Sequence, residues 1–315
     1  MGAKNKSNEL KLSRLYDAPL KAVWEAWADP AQAAKWWGPR GFTITTHGKD
    51  LKPGGFWKYT MHGPDGVNYE NVTIYHEVEK YSRLVYDHGG SEDRPPLFRV
   101  TVTFTEVKGK TKLDMTMALP TPEAAEETRK FIKKAGGDST WDRLGEYLDK
   151  EATGQEEFLI NRSFNVPLNT MFEMWTDAKH FSQWLPPTGF TMTFINVDIK
   201  PGGSSFYSMT NGEFTMYGKT KYLEITPPDR MIYLQEFADE NGNMSRHPMM
   251  PTWPATMKTT VQLTEEGPEQ TRVTVTWQPY GDVSPAELES FVNAKTGMTQ
   301  GWTGSFDKLE DYLIK

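Results

Sequence analysis

Residues 10–16 and 158–164 alternate apolar and polar side chains, the period-two pattern of a short strand. The period then lengthens. Val23, Trp24 and Trp27, like Phe172 and Trp175, recur at three- and four-residue spacing behind Pro19 and Pro167, which suit a first helical turn. Asp29-Pro30 reads as an N-cap followed by Pro, opening a second short helix that ends at Trp36-Trp37-Gly38-Pro39. Farther on, Val100, Val102 and Phe104 alternate with Thr101, Thr103 and Thr105, and Val273, Val275 and Trp277 alternate with Arg272, Thr274 and Thr276. These segments predict sheets with one buried face. Turn clusters separate the strands: Lys-Pro-Gly-Gly at 52–55 and 200–203, Gly63-Pro64-Asp65-Gly66, and Pro227-Pro228-Asp229. Helical spacing returns at the end, where Ser284-Pro285-Ala286-Glu287 forms a capping-box pattern ahead of Phe291, Met298, Trp302, Phe306, Leu309 and Leu313.

The pattern occurs twice. Residues 14–61 align without a gap on residues 162–209, at an offset of 148, with 19 of 48 pairs identical. Similarity returns at Ser82-Arg83-Leu84-Val85-Tyr86 against Asp229-Arg230-Met231-Ile232-Tyr233, and at Asp142-Arg143-Leu144 against Asp307-Lys308-Leu309. A period near 150 is that of a domain, so residues 8–150 and 156–315 are expected to form two copies of one α+β unit. In each, a strand, two short helices, about six strands and a long C-terminal helix predict a curved antiparallel sheet wrapped around that helix. Space between the concave face and the helix is where function would sit.

Composition narrows the classes. The chain has no Cys, which excludes disulfides, thiolate metal sites and a Cys nucleophile and fits a reducing compartment. The polar N-terminus predicts no signal peptide, and no apolar run reaches the length of a membrane span, so a cytoplasmic protein is expected. A net charge of −7 argues against nucleic acid, which needs a basic footprint. The charge is uneven, +2 over residues 1–150 and −9 over 151–315.

The string Arg14, Pro19, Val23-Trp24, Trp27, Asp29-Pro30, Trp36-Trp37-Gly38-Pro39, Gly41-Phe42, Asp50 and Pro53-Gly54-Gly55 resembles the opening of the activator of Hsp90 ATPase homolog 1-like (AHSA1-like) domain. The second copy keeps Arg162, Pro167, Trp175, Asp177, Trp184, Pro187, Gly189-Phe190, Asp198 and Pro201-Gly202-Gly203, and departs at Leu185-Pro186. That group lies within the START-like (SRPBCC, Bet v 1-like) superfamily. The resemblance implies a tandem pair of helix-grip domains with hydrophobic-ligand cavities, and it names Hsp90 as a candidate partner.

No catalytic or cofactor motif accompanies it. The six His residues lack the paired spacing of a zinc site, and there is no nucleophile elbow and no dinucleotide or phosphate loop, so neither metal nor cofactor is expected. Binding of a small apolar or aromatic ligand, with Tyr and Gln side chains orienting it, is the leading expectation; a co-chaperone-like interaction module, or an enzyme acting on a bound hydrophobic compound, is the alternative. The expected first cavity is bounded by Trp37, Tyr59, Met61, Tyr86 and Phe98, with Gly137 and Trp141 on the helix. Gly137 stands where the second copy has Trp302, so the first cavity is expected to be larger unless Trp141 or Trp37 swings in. The expected second cavity draws on Trp184, Tyr207, Met209, Tyr233, Gln235, Met298 and Trp302. The Pro-broken stretch 243–254 is expected to cover it, with Met249, Met250 or Trp253 inward.

Overall fold

The computed structural model describes residues 7–90, 95–134, 139–153 and 157–314, in two compact units, Met1–Gly154 and Gln155–Lys315. The first runs β1(Glu9–Tyr16), α1(Leu20–Ala28), α2(Pro30–Trp36), β2(Thr43–Lys49), β3(Phe56–His62), β4(Asn68–Glu79), β5(Arg83–Gly90), β6(Phe98–Val107), β7(Lys110–Ala118), α3(Pro122–Lys134) and α4(Ser139–Thr153). The second runs β8(Phe158–Phe164), α5(Leu168–Thr176), α6(Ala178–Trp184), β9(Thr191–Val197), β10(Ser204–Thr210), β11(Thr215–Thr226), β12(Arg230–Ala238), β13(Thr256–Gly267), β14(Gln270–Pro279) and α7(Pro285–Leu313).

Each unit is one antiparallel seven-stranded sheet, ordered β1-β7-β6-β5-β4-β3-β2 and β8-β14-β13-β12-β11-β10-β9. The two helices between the first and second strands follow from local chemistry. The Asp29 carboxylate accepts from the amides of Ala31 and Gln32, and that of Asp177 from Lys179, the capping that lets a new helix start directly after another. Trp27 and Trp175 from the first helix pack against Trp36 and Trp184 from the second, with ring centroids 5.5 Å and 4.7 Å apart.

The repeated Pro-Gly-Gly is a steric requirement. A Cβ on Gly55 would stand 2.1 Å from the Asp50 carbonyl oxygen, and one on Gly203 2.2 Å from that of Asp198. Gly54 and Gly202 have φ of +77° and +78°, in the left-handed region. Both glycines of each pair are therefore fixed by the backbone turn.

α7 is continuous over 29 residues and begins with the capping box between Ser284 and Glu287. In the first unit the described C-terminal helical residues are α3, of 13 residues, and α4, of 15. Residues 135–138 between them, Gly137 included, lie outside the described residues. The next turns are pinned alike. The Arg143 guanidinium donates to the carbonyls of Gly38 (2.7 Å) and Pro39 (2.9 Å), and Lys308 Nζ donates to that of Pro186 (2.9 Å), so the segment after each second helix is held against the C-terminal helix.

Candidate functional site

Strand alternation carries three tyrosines onto the concave face of each sheet. In the second unit Tyr207, Tyr222 and Tyr233 lie on β10, β11 and β12; in the first Tyr59, Tyr75 and Tyr86 lie on β3, β4 and β5. Tyr222 pairs directly with Tyr233 and Tyr75 with Tyr86, with ring centroids 6.1 Å and 6.0 Å apart. Sequence reasoning missed Tyr75 and Tyr222, which align once the offset is allowed to slip from 148 to 147.

In the second unit a cavity of about 650 Å³ opens between these strands and α7. Tyr207 and Met209 on β10, Met216 and Gly218 on β11, Gln235 and Phe237 on β12, Met257 on β13 and Trp277 on β14 form the sheet side. Asn293, Gly297, Met298, Gly301, Trp302 and Ser305 form the helix side, and Leu185 and Pro187 close one end. Gly218 is required by its neighbour, since a Cβ there would stand 2.5 Å from the Tyr207 oxygen. Gly297 and Gly301 are different: a Cβ on either meets nothing within 4 Å. Both are exposed, so they leave the helix side of the cavity open.

The segment after β12 supplies the remaining wall. His247, Met250, Trp253 and Pro254 line the cavity, and Trp253 is buried with its ring 6.1 Å from that of Phe291. Met249 points away, 71 % exposed. The segment is tied to the start of α7 by Arg246, which donates to Glu287 Oε1 at 2.5 Å, and by a 2.7 Å hydrogen bond between Thr252 and Ser290. The same Glu287 accepts the Ser284 amide through Oε2 at 2.9 Å, and these bonds hold its carboxyl at about 2, well below its ordinary range.

Polar groups in the wall are few. Burial pushes the Tyr207 phenol up from its ordinary range, and the Gln235 and Thr220 side chains beside it partly oppose that shift. Gln235 Oε1 accepts from Thr259 Oγ1 at 2.7 Å. The His247 Nδ1 accepts the amides of Met249 and Met250 at 3.1 and 3.2 Å, and burial lowers the pKa of the ring. The described wall carries no Lys or Arg side chain. Among the described residues no group of three His, Cys, Asp or Glu is arranged for a metal. Such a site can bind and orient a neutral apolar molecule.

Of the residues singled out from the sequence, Tyr207, Met209, Gln235, Trp253, Met298 and Trp302 meet at this cavity. Trp184 and Tyr233 lie behind it in the core; the Trp184 indole donates to the Met174 carbonyl at 3.0 Å. In the first unit Trp37, Tyr59, Tyr86 and Trp141 are buried in one cluster, with Met61 and Phe98 packed against it. The indole expected to be missing opposite Gly137 is supplied by Trp141, which stacks on Trp27 at 5.6 Å as Trp302 stacks on Trp175 at 6.2 Å. Trp37 packs beside both, and its Nε1 donates to Tyr59 Oη at 3.1 Å. Both residues that could fill the first cavity have thus swung in, and the expectation of greater space there loses its basis.

The activator of Hsp90 ATPase homolog 1-like family model matches residues 17–149 and 165–314. Solved structures align with about half the chain. A protein of Mycobacterium smegmatis shares 26 % identity, covering 48 % of this chain and 96 % of its own, with a TM-score of 0.43. One from Nitrosomonas europaea shares 23 % over 46 % of this chain and 96 % of its own, at 0.42. The AHSA1 protein of Silicibacter pomeroyi shares 19 % over 50 % and 97 %, at 0.39. No curated protein matches the chain.

Proposed function

The chain belongs to the activator of Hsp90 ATPase homolog 1-like family in both halves, and from that premise we propose that its second domain is a binding module for a small apolar or aromatic molecule. At the level of the family the module is ligand-binding or co-chaperone-like. The observation that carries the finer reading is the pair of helix-interior glycines, Gly297 and Gly301. Each weakens α7 by about 1 kcal/mol relative to Ala, and neither is required by a neighbour, since a Cβ would meet only open space. Both glycines are exposed and line the cavity, so their missing side chains keep its helix side open, and the wall behind them carries Met and aromatic side chains suited to an apolar guest. Tyr207 and Gln235 are the polar groups that would orient it.

Native mass spectrometry of protein purified without denaturation tests this. The expected result is a bound small molecule that is lost in Gly301→Leu, whose side chain projects into the cavity, while circular dichroism stays unchanged. A bare mass for the parent chain, together with no uptake of apolar aromatic probes, would overturn the reading.

A further inference from the structure

The two copies make opposite use of one place in the fold. In the first domain that place is filled by Trp37, whose ring lies 5.4 Å from Trp27, 5.2 Å from Trp36 and 6.1 Å from Trp141, and whose Nε1 donates to Tyr59 Oη at 3.1 Å. At the offset of the repeat, Leu185 replaces Trp37 while Trp175, Trp184 and Tyr207 remain where Trp27, Trp36 and Tyr59 stand. Trp302, stacked on Trp175, takes the part of Trp141. Leu185, Tyr207 and Trp302 are all walls of the cavity. The setting of an indole persists in the second domain and the indole does not.

Resting on the binding role above, we propose that the second domain takes a planar bicyclic aromatic molecule of the indole class, its ring N–H donating to Tyr207 Oη, in the place that Trp37 fills in the first. The chemistry of the wall agrees. The rings of Trp302 and Phe237 line the cavity and suit a flat π-system. A carboxylate would meet no Lys or Arg side chain among the described wall residues, would lose its hydration uncompensated and would face Glu236, which selects against an anionic guest. A volume of about 650 Å³ exceeds one indole, so the ring carries a substituent, which Met209, Met216 and Met257 can accommodate by rotamer change. One ring around the indole is not kept, since Trp57, 5.1 Å from Trp37, is replaced by Ser205; Phe194, its ring 6.2 Å from Tyr207, stands where the first domain has Thr46.

The test uses the intact chain with 2-phenylindole and 1-methyl-2-phenylindole, followed by fluorescence titration. The N–H compound should bind about fivefold more tightly, the worth of one neutral hydrogen bond. That advantage should vanish in Tyr207→Phe, and Leu185→Trp should abolish binding of both compounds by restoring the arrangement of the first domain. Leu185→Phe, with circular dichroism as a folding check, serves if the larger side chain unfolds the domain. Binding of both compounds that Gly301→Leu removes but that is insensitive to the N-methyl group, to Tyr207→Phe and to Leu185→Trp sinks the indole assignment and leaves the binding role standing. Failure of both compounds to bind, with a bare native mass, sinks both readings.

Discussion

His88 lies flat against Phe98 in the first domain, ring centroids 5.1 Å apart and planes 24° from parallel, directly across the β5–β6 ladder. Burial lowers its pKa from 6.5 to about 4, so the folded chain keeps the ring neutral over a range where the unfolded chain protonates it. Stability from this group is present above pH 6.5 and is lost as pH falls toward 4. For a ring retaining some solvent access the loss is about 2 kcal/mol. His88→Leu should flatten the dependence of first-domain stability between those pH values in urea titrations; an unchanged slope would show that another group carries it.

The glycines of α7 separate into two kinds. Gly297→Ala and Gly301→Ala should each stabilise the second domain by about 1 kcal/mol, a rise of roughly 2–4 °C in Tm, while reducing aromatic-probe uptake. Gly304→Ala should not stabilise it, because the new Cβ would stand 2.9 Å from Thr188 Oγ1. Calorimetry on the three variants checks this, and equal gains at all three positions would contradict it.

At the Pro-Gly-Gly turns the two glycines differ in what they tolerate. Gly54→Ala meets no neighbour and should cost about 1–2 kcal/mol of left-handed backbone strain. Gly55→Ala, and equally Gly203→Ala in the other domain, should cost more than about 2 kcal/mol because the clash is with backbone. Comparable denaturation midpoints for Gly54→Ala and Gly55→Ala would show that the turn relaxes.

Trp141→Ala should destabilise the first domain by about 3–5 kcal/mol, as expected for removing a ring packed on Trp27, Trp36 and Trp37. Trp302→Ala should cost the second domain less, since one side of that ring already borders a cavity. Hydrogen exchange read separately over the two sheets measures both, and a larger loss for Trp302→Ala would count against the difference in packing.

Much of the fold was legible because it rests on local rules. The capping Asp29 and Asp177, the capping box at Ser284 and the strand alternation around Val100 and Val273 each act within a few residues. The site was legible only in part. Met249 and Met250 are adjacent and chemically identical, yet one is exposed and the other lines the cavity, a choice made by the hydrogen bonds of His247 and Arg246 rather than by composition. Trp141 aligns with Phe306, and its register is shared through Tyr147 with Gln32 and Tyr312 with His180, but its ring takes the position of Trp302 from the preceding turn. Alignment identifies backbone equivalence. Side-chain equivalence depends on which neighbouring space is open.

Trp37 and Leu185 bear on how such a chain can diverge. A protein with one copy of this fold that lost the indole would give up the packing of its single core. Here each unit has its own aromatic cluster, and the first carries the indole. With two copies on one chain, one half can keep this place packed while the other leaves it open, so a new guest can be tried without wagering the whole fold.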